Sequence, residues 1–266
     1  MQHFAAATHR LTFNIINMQT AVSLSPPRYL EVVRTIFWLT FFSIAMGYLE
    51  TSVVVYLRKM YYPNGFGFPL VAVTPDIAMT EFWREVATIV MLAGAGIMAG
   101  RNPMQRFVYF LYCFAIWDIF YYVFLYVLLG WPQSLFTWDI LFLIPVPWVG
   151  PVLCPVLVSL TMILLMCTTL FGQSKGLTAK FNRMEKCILL FGCAIILCSF
   201  MWDYFMYVQG HGEGRSVFTL SSQKDLFSEA KDYVPRNFNW LMYWCGQIIL
   251  WGGVGTYFLR LRKAKV

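Results

Sequence analysis

Apolar residues run along this chain in long, continuous stretches separated by short polar connections. Six stretches are long enough for a helix to cross a ~30 Å hydrocarbon core, which takes about 20 residues. They lie at 34–57, 82–99, 107–129, 148–171, 187–208 and 238–259. Strands of a membrane barrel alternate apolar and polar positions over segments of about ten residues, and these runs do not alternate. The pattern predicts an all-α membrane protein with about six transmembrane helices. Its domains are a polar N-terminal arm over 1–33, a single helical membrane domain over 34–259 and a basic tail over 260–266. Met18 is a second candidate start within the arm.

One stretch breaks the pattern. From Leu135 to Phe171 the chain is apolar for longer than one crossing, and Pro145, Pro147, Pro151 and Pro155 interrupt its first half. Irregular backbone at membrane depth survives only when covered by protein or lining a wet cavity. The Pro/Trp-rich segment before and around Trp148 is therefore expected to be re-entrant or interfacial, on the outer side. A Pro-kinked helix start is the plainer alternative.

Composition supports the membrane class. Hydrophobic residues make up 59% of the chain and charged ones 12%, against about 25% charged in a soluble domain. The formal charge of +7 has a simple origin if basic residues are retained in the cytoplasm. An N-inside arrangement puts Lys175, Lys180, Arg183, Lys186, Arg260, Arg262, Lys263 and Lys265 there. On the opposite face, Arg215, Lys224, Lys231 and Arg236 are balanced by Glu213, Asp225, Glu229 and Asp232. Both termini are thus expected in the cytoplasm, and nucleic acid is excluded as a partner because no basic cluster is interleaved with a soluble fold. The lipid bilayer is the expected partner, with a membrane-protein partner or a homo-oligomer left open.

The chemistry that stands out is carboxylate in apolar surroundings. Cys113-Phe-Ala-Ile-Trp117-Asp118-Ile-Phe-Tyr-Tyr-Val123 and Cys198-Ser-Phe-Met-Trp202-Asp203-Tyr-Phe-Met-Tyr-Val208 agree at Cys, Trp, Asp, Phe, Tyr and Val. Tyr48-Leu-Glu50-Thr-Ser-Val-Val-Val55 aligns weakly with both. Three helical hairpins, each carrying one inward acid, are one architecture this allows. An ionisable group in a span costs about 2.5–3.5 kcal/mol on insertion scales and marks a functional site by default. Glu50, Glu85, Asp118, Asp139 and Asp203 are the candidate binding residues, with Glu81 beside Glu85. Arg58, Arg84, Trp117 and Trp202 are their supports. Structural glue between helices is the competing reading of each acid. Trp38, Trp83, Trp131 and Trp251 read as interfacial belt residues.

Enzyme motifs based on GxSxG, HExxH, Walker A or a Rossmann glycine pattern are absent. Seven cysteines form no CxxC pair, and the only histidines are His3, His9 and His211. No cofactor is identified; haem is not expected, and a divalent cation held by carboxylates stays open. Three functions remain: small-molecule or cation binding and transport through an outward-facing carboxylate and aromatic pocket, a non-catalytic subunit or anchor, and a carboxylate-based intramembrane enzyme acting on a lipid or envelope substrate.

The strings Gly47-Tyr-Leu-Glu50, Val55-Tyr-Leu-Arg58, Trp117-Asp118-Ile-Phe-Tyr-Tyr122 and Leu143-Ile-Pro-Val-Pro147-Trp148-Val-Gly-Pro151 resemble an uncharacterised family of bacterial polytopic membrane proteins. The resemblance covers about residues 34–171. It implies a bacterial inner-membrane location and no particular activity.

Overall fold

The computed structural model describes residues 28–71, 73–142, 147–211 and 233–264. Within them are six helices and one strand hairpin: α1 (Arg28–Tyr61), α2 (Pro75–Ala99), α3 (Pro103–Leu129), β1 (Trp138–Phe142), β2 (Trp148–Pro151), α4 (Leu153–Ser174), α5 (Arg183–His211) and α6 (Trp240–Lys263). Most of the expected arm, including Met18, lies outside the described residues. So do Pro145 and the charged residues Glu213–Asp232 of the last connection.

Five helices, α1 to α5, are long and apolar enough to cross a membrane. The sixth, α6, is 24 residues long but falls outside that group, because its Trp, Tyr, Gly and Gln residues dilute its hydropathy. Helix bounds depart from the sequence expectation mainly at the ends. α2 starts at Pro75 rather than 82, with proline in the first turn where no amide hydrogen is needed. α1 begins at Arg28, before the expected end of the arm. α6 continues through Arg260, Arg262 and Lys263, so the basic tail is largely the last helical turn, where cations suit the helix dipole.

Local signals explain the other boundaries. The Asn102 side chain caps α3 by accepting from the Gln105 amide at 3.0 Å, and Gly130, at φ 64°, closes it in the left-handed region. Asn182 and Glu185 form a reciprocal capping box at the start of α5, with both bonds at 2.8 Å.

The chain divides into two compact units, residues 1–38 and 39–266. Of the first, the described part is the opening of α1, in which the Thr35 hydroxyl donates to the Glu31 carbonyl at 2.8 Å. In the second, α3 packs between α2 and α4, α5 packs along α6, and α6 also rests on α4. Gly192 and Gly246 set the α5–α6 approach; a Cβ on Gly246 would lie 2.8 Å from Ile196.

The Pro/Trp-rich segment is neither all-helical nor a kinked helix start. It is an antiparallel β-hairpin pairing Trp138 with Pro151, Asp139 with Gly150 and Ile140 with Val149. The all-α expectation is corrected to this extent. Pro147 and Pro151 sit just outside or at the end of β2, positions where a missing amide hydrogen costs least. The hairpin packs on the end of α5 and the following segment through Val149, Tyr204, Val208 and Tyr233, with Phe68 and Leu70 against them. Gly150 presents its bare backbone to Phe238 and Phe200, where a Cβ would come to 3.0 and 3.3 Å. The hairpin therefore caps the end of the bundle where α1 finishes and α2 begins.

Candidate functional site

Beneath the hairpin lies a cavity of about 210 Å³ walled by α1, α2, α3, β1 and the connection after α1. Helical spacing selects the residues that face it. On α1 they are Glu50, Val54, Leu57, Arg58 and Tyr61; on α2 they are Ile77, Ala78, Glu81, Arg84, Glu85 and Thr88. Each set keeps to one face by steps of three and four. α3 adds Trp117, Asp118, Tyr121 and Tyr122, and β1 adds Asp139.

Four of the five expected acids thus meet: Glu50, Glu85, Asp118 and Asp139 line one cavity, together with Arg58, Arg84 and Trp117. Asp203 and Trp202 do not line it. The Asp203 carboxylate accepts from the Tyr233 hydroxyl at 2.7 Å and from the Arg236 and Asn237 amides at 3.2 Å. It ties down the segment leading into α6. Burial, followed by the adjacent carboxylate, pushes the Tyr233 hydroxyl far up from its ordinary value, so it stays a donor. Trp202 is 40% exposed on the bundle surface. The two Trp-Asp repeats are alike in sequence and different in surroundings.

Two ion-paired centres organise the wall. At the first, Arg84 bridges Glu50 and Glu81. Its Nε donates to Glu81 at 2.9 Å, another nitrogen pairs with Glu50, and the Thr88 hydroxyl donates to the second Glu50 oxygen at 3.2 Å. At the second, an Arg58 nitrogen donates to Asp139 Oδ1 at 3.3 Å. The Arg58 guanidinium sits in the corner of two rings at right angles to each other, over Trp131 at 3.8 Å and Phe66 at 4.2 Å. Trp131 is therefore one face of a cation–π corner and not simply a belt residue. Glu50 and Arg58 are eight residues apart, about 12 Å along the α1 axis, so the two centres occupy different levels of the cavity.

Asp139 is 2% exposed. Burial pushes its carboxyl up to about 6, and Arg58, the Ile140 amide and the Tyr122 hydroxyl oppose that shift. Its Oδ2 has no hydrogen bond of ordinary geometry, and Tyr122 is the hydroxyl that faces it. Asp118 accepts from the Ser159 hydroxyl of α4 at 2.9 Å, and it is close enough to Asp139 for the two charges to repel.

Comparison with protein-family models, curated proteins and solved structures finds no match.

The cavity holds five carboxylates and two guanidiniums, a formal excess of three negative charges if all are ionised. Among the described residues, no three of His, Cys, Asp and Glu gather into a group that would hold a metal. The acids are spread along the wall. Two buried donors on that wall, Arg58 Nη1 and Trp117 Nε1, have no hydrogen-bond partner within the protein. Sequence reasoning missed Phe66, Tyr121 and the Ser159 contact. The Gly/Pro-rich string after α1 is visible as a break, but not as an aromatic wall. Ser159 is one small hydroxyl in an apolar run, with nothing to separate it from ordinary helix packing.

Proposed function

We propose that this chain is a six-span bacterial inner-membrane protein with both termini in the cytoplasm, which binds and transports a small cationic molecule through the cavity under the hairpin. The observation that carries the reading is the excess of carboxylate over arginine in a buried, aromatic-walled space. Glu50 and Glu81 share the single Arg84 guanidinium, and Asp118 is met by a hydroxyl. Carboxylate charges that are not offset cost about 2.5–3.5 kcal/mol each in a span, against ~5–15 kcal/mol for the whole stability of a domain. Protons, water or a bound cation must offset them, and of these a cation also gives the site a purpose. The spread of the acids favours an organic cation over a bare divalent ion, which takes six to eight oxygens at close range. α3–α4 and α5–α6 support a two-copy hairpin repeat, in which the first copy keeps its acid for the cavity and the second uses it to hold a loop.

The test is a thermal-shift screen of the detergent-purified protein against a panel of small polar compounds. A ligand at 100 times its Kd adds about 2.7 kcal/mol to stability. At least one cationic compound is expected to raise Tm, with the rise lost in Glu50→Gln and Asp118→Asn. A panel without a stabilising compound, or shifts that survive both substitutions, overturns the reading. Uptake of a stabilising compound into proteoliposomes then separates transport from binding alone.

A further inference from the structure

We propose, resting on the binding reading above, that the ligand is a compact amine that also carries oxygen acceptors, of the amino-sugar kind, rather than a plain alkylamine or a neutral polyol. Three observations set its chemistry. The carboxylate excess calls for an ammonium group, which donates up to three hydrogen bonds to acids placed around it. Arg58 and Trp117 are 7% exposed, line the cavity and each keep a buried donor nitrogen without a protein partner. Neither nitrogen meets a protein acceptor in this arrangement, and a ligand that brings its own acceptors would satisfy both. An alkylamine has none to give.

Size and shape narrow the class. A volume of about 210 Å³ is somewhat larger than a ~150 Å³ cavity that takes one benzene, which suits a single six-membered ring with its substituents. Tyr61, Phe66 and Tyr121 line the cavity and supply aromatic wall for such a ring. Arg58 stands on the α1 wall near the hairpin and Trp117 on α3 beside Gly47, a Cβ on which would lie 3.0 Å from the Trp117 carbonyl. Two donors at different places ask for more than one acceptor.

Three probes of similar bulk separate the requirements: D-glucosamine with an amine and hydroxyls, D-glucose without the amine, and cyclohexylamine without the hydroxyls. Calorimetric titration of the purified protein is expected to show glucosamine binding at least about tenfold tighter than either of the others, the loss that follows from leaving a buried polar group unpaired. Trp117→Phe keeps a ring and removes the Nε1 donor. It should weaken glucosamine by about tenfold and leave cyclohexylamine unaffected, and its Tm without ligand checks that it folds. Equal binding of cyclohexylamine, or no effect of Trp117→Phe on glucosamine, overturns the acceptor requirement, the donors then being served by water. Equal binding of glucose overturns the amine. If none of the three binds while the panel contains a stabilising cation, this inference fails and the binding reading stands; if the panel contains none, both fail.

Discussion

Arg58 does two jobs with one side chain: it neutralises Asp139 and covers the faces of Trp131 and Phe66. Removing one partner of a buried pair leaves the other charge uncompensated, at about 3–5 kcal/mol. Arg58→Ala should therefore cost about that much in denaturant or thermal unfolding. Arg58→Lys keeps the charge and loses the planar stack, so its loss should be smaller, about 1–2 kcal/mol. No loss in Arg58→Lys would show that the stack contributes nothing; losses equal to those of Arg58→Ala would show that the charge contributes nothing. Asp139 adds a pH signature. Its folded value of about 6 lies above the ordinary ~3.9, so the folded state binds its proton more tightly than the unfolded one. The stability of the parent relative to Asp139→Asn should therefore rise as pH falls from about 6 to about 4, and stay constant above about 7. A gap that is flat across this range would mean that the carboxyl titrates normally. Asp203 belongs to a different class, since three hydrogen bonds hold it to the segment at 233–237. Asp203→Ala should destabilise by about 1–3 kcal/mol and leave ligand-induced stabilisation intact. A matched Trp-Asp pair could not reveal this difference from sequence, because the deciding partners, Ser159 and Tyr233, come from other helices and connections.

At the scale of elements, the close approach of α1 to α3 positions Glu50. Gly47 lies one turn before it, and a Cβ there would sit 3.0 Å from the Trp117 carbonyl and 3.2 Å from the Phe120 Cβ. The Thr51 hydroxyl bonds across the same crossing to the Tyr121 carbonyl at 3.2 Å. Gly47→Leu should push α1 away and separate Glu50 from Arg84 and Thr88. The expected result is a folded protein with a lowered Tm and no stabilisation by the compounds that stabilise the parent; unchanged binding would show that the crossing is not what sets the site. The helices themselves were readable because long apolar runs have few alternatives. The hairpin was not: strands of five and four residues, the first mostly half-buried and the second mostly buried, are too short to carry a readable alternation, and the prolines around them signal only that a regular helix fails. What prolines cannot announce is the pairing partner, which here is the proline-free run Trp138–Phe142 of the same segment.

For the whole molecule, the decisive property is which side of a membrane the cavity opens toward. The hairpin end gathers the aromatic corner, the cavity and the connection after α1, while Lys175 and Lys180 lie in the connection between α4 and α5 and Arg183 opens α5, at the other end of those helices. In the topology we propose, retention of basic residues in the cytoplasm puts the hairpin outside and both termini inside, with α6 crossing despite its lower hydropathy. An even number of crossings is required, so the orientation of the tail tests α6 directly. Single cysteines at Asn64 and Ala264, in a background with the native cysteines replaced, report the two ends. A membrane-impermeant maleimide applied to intact cells should label Asn64→Cys at once and Ala264→Cys only after permeabilisation. Labelling of both without permeabilisation would leave five crossings, with α6 lying along the outer face. It would also leave the basic last turn of α6 on the side where such residues are least tolerated, so the label at position 264 decides between the charge pattern and the hydropathy of that helix.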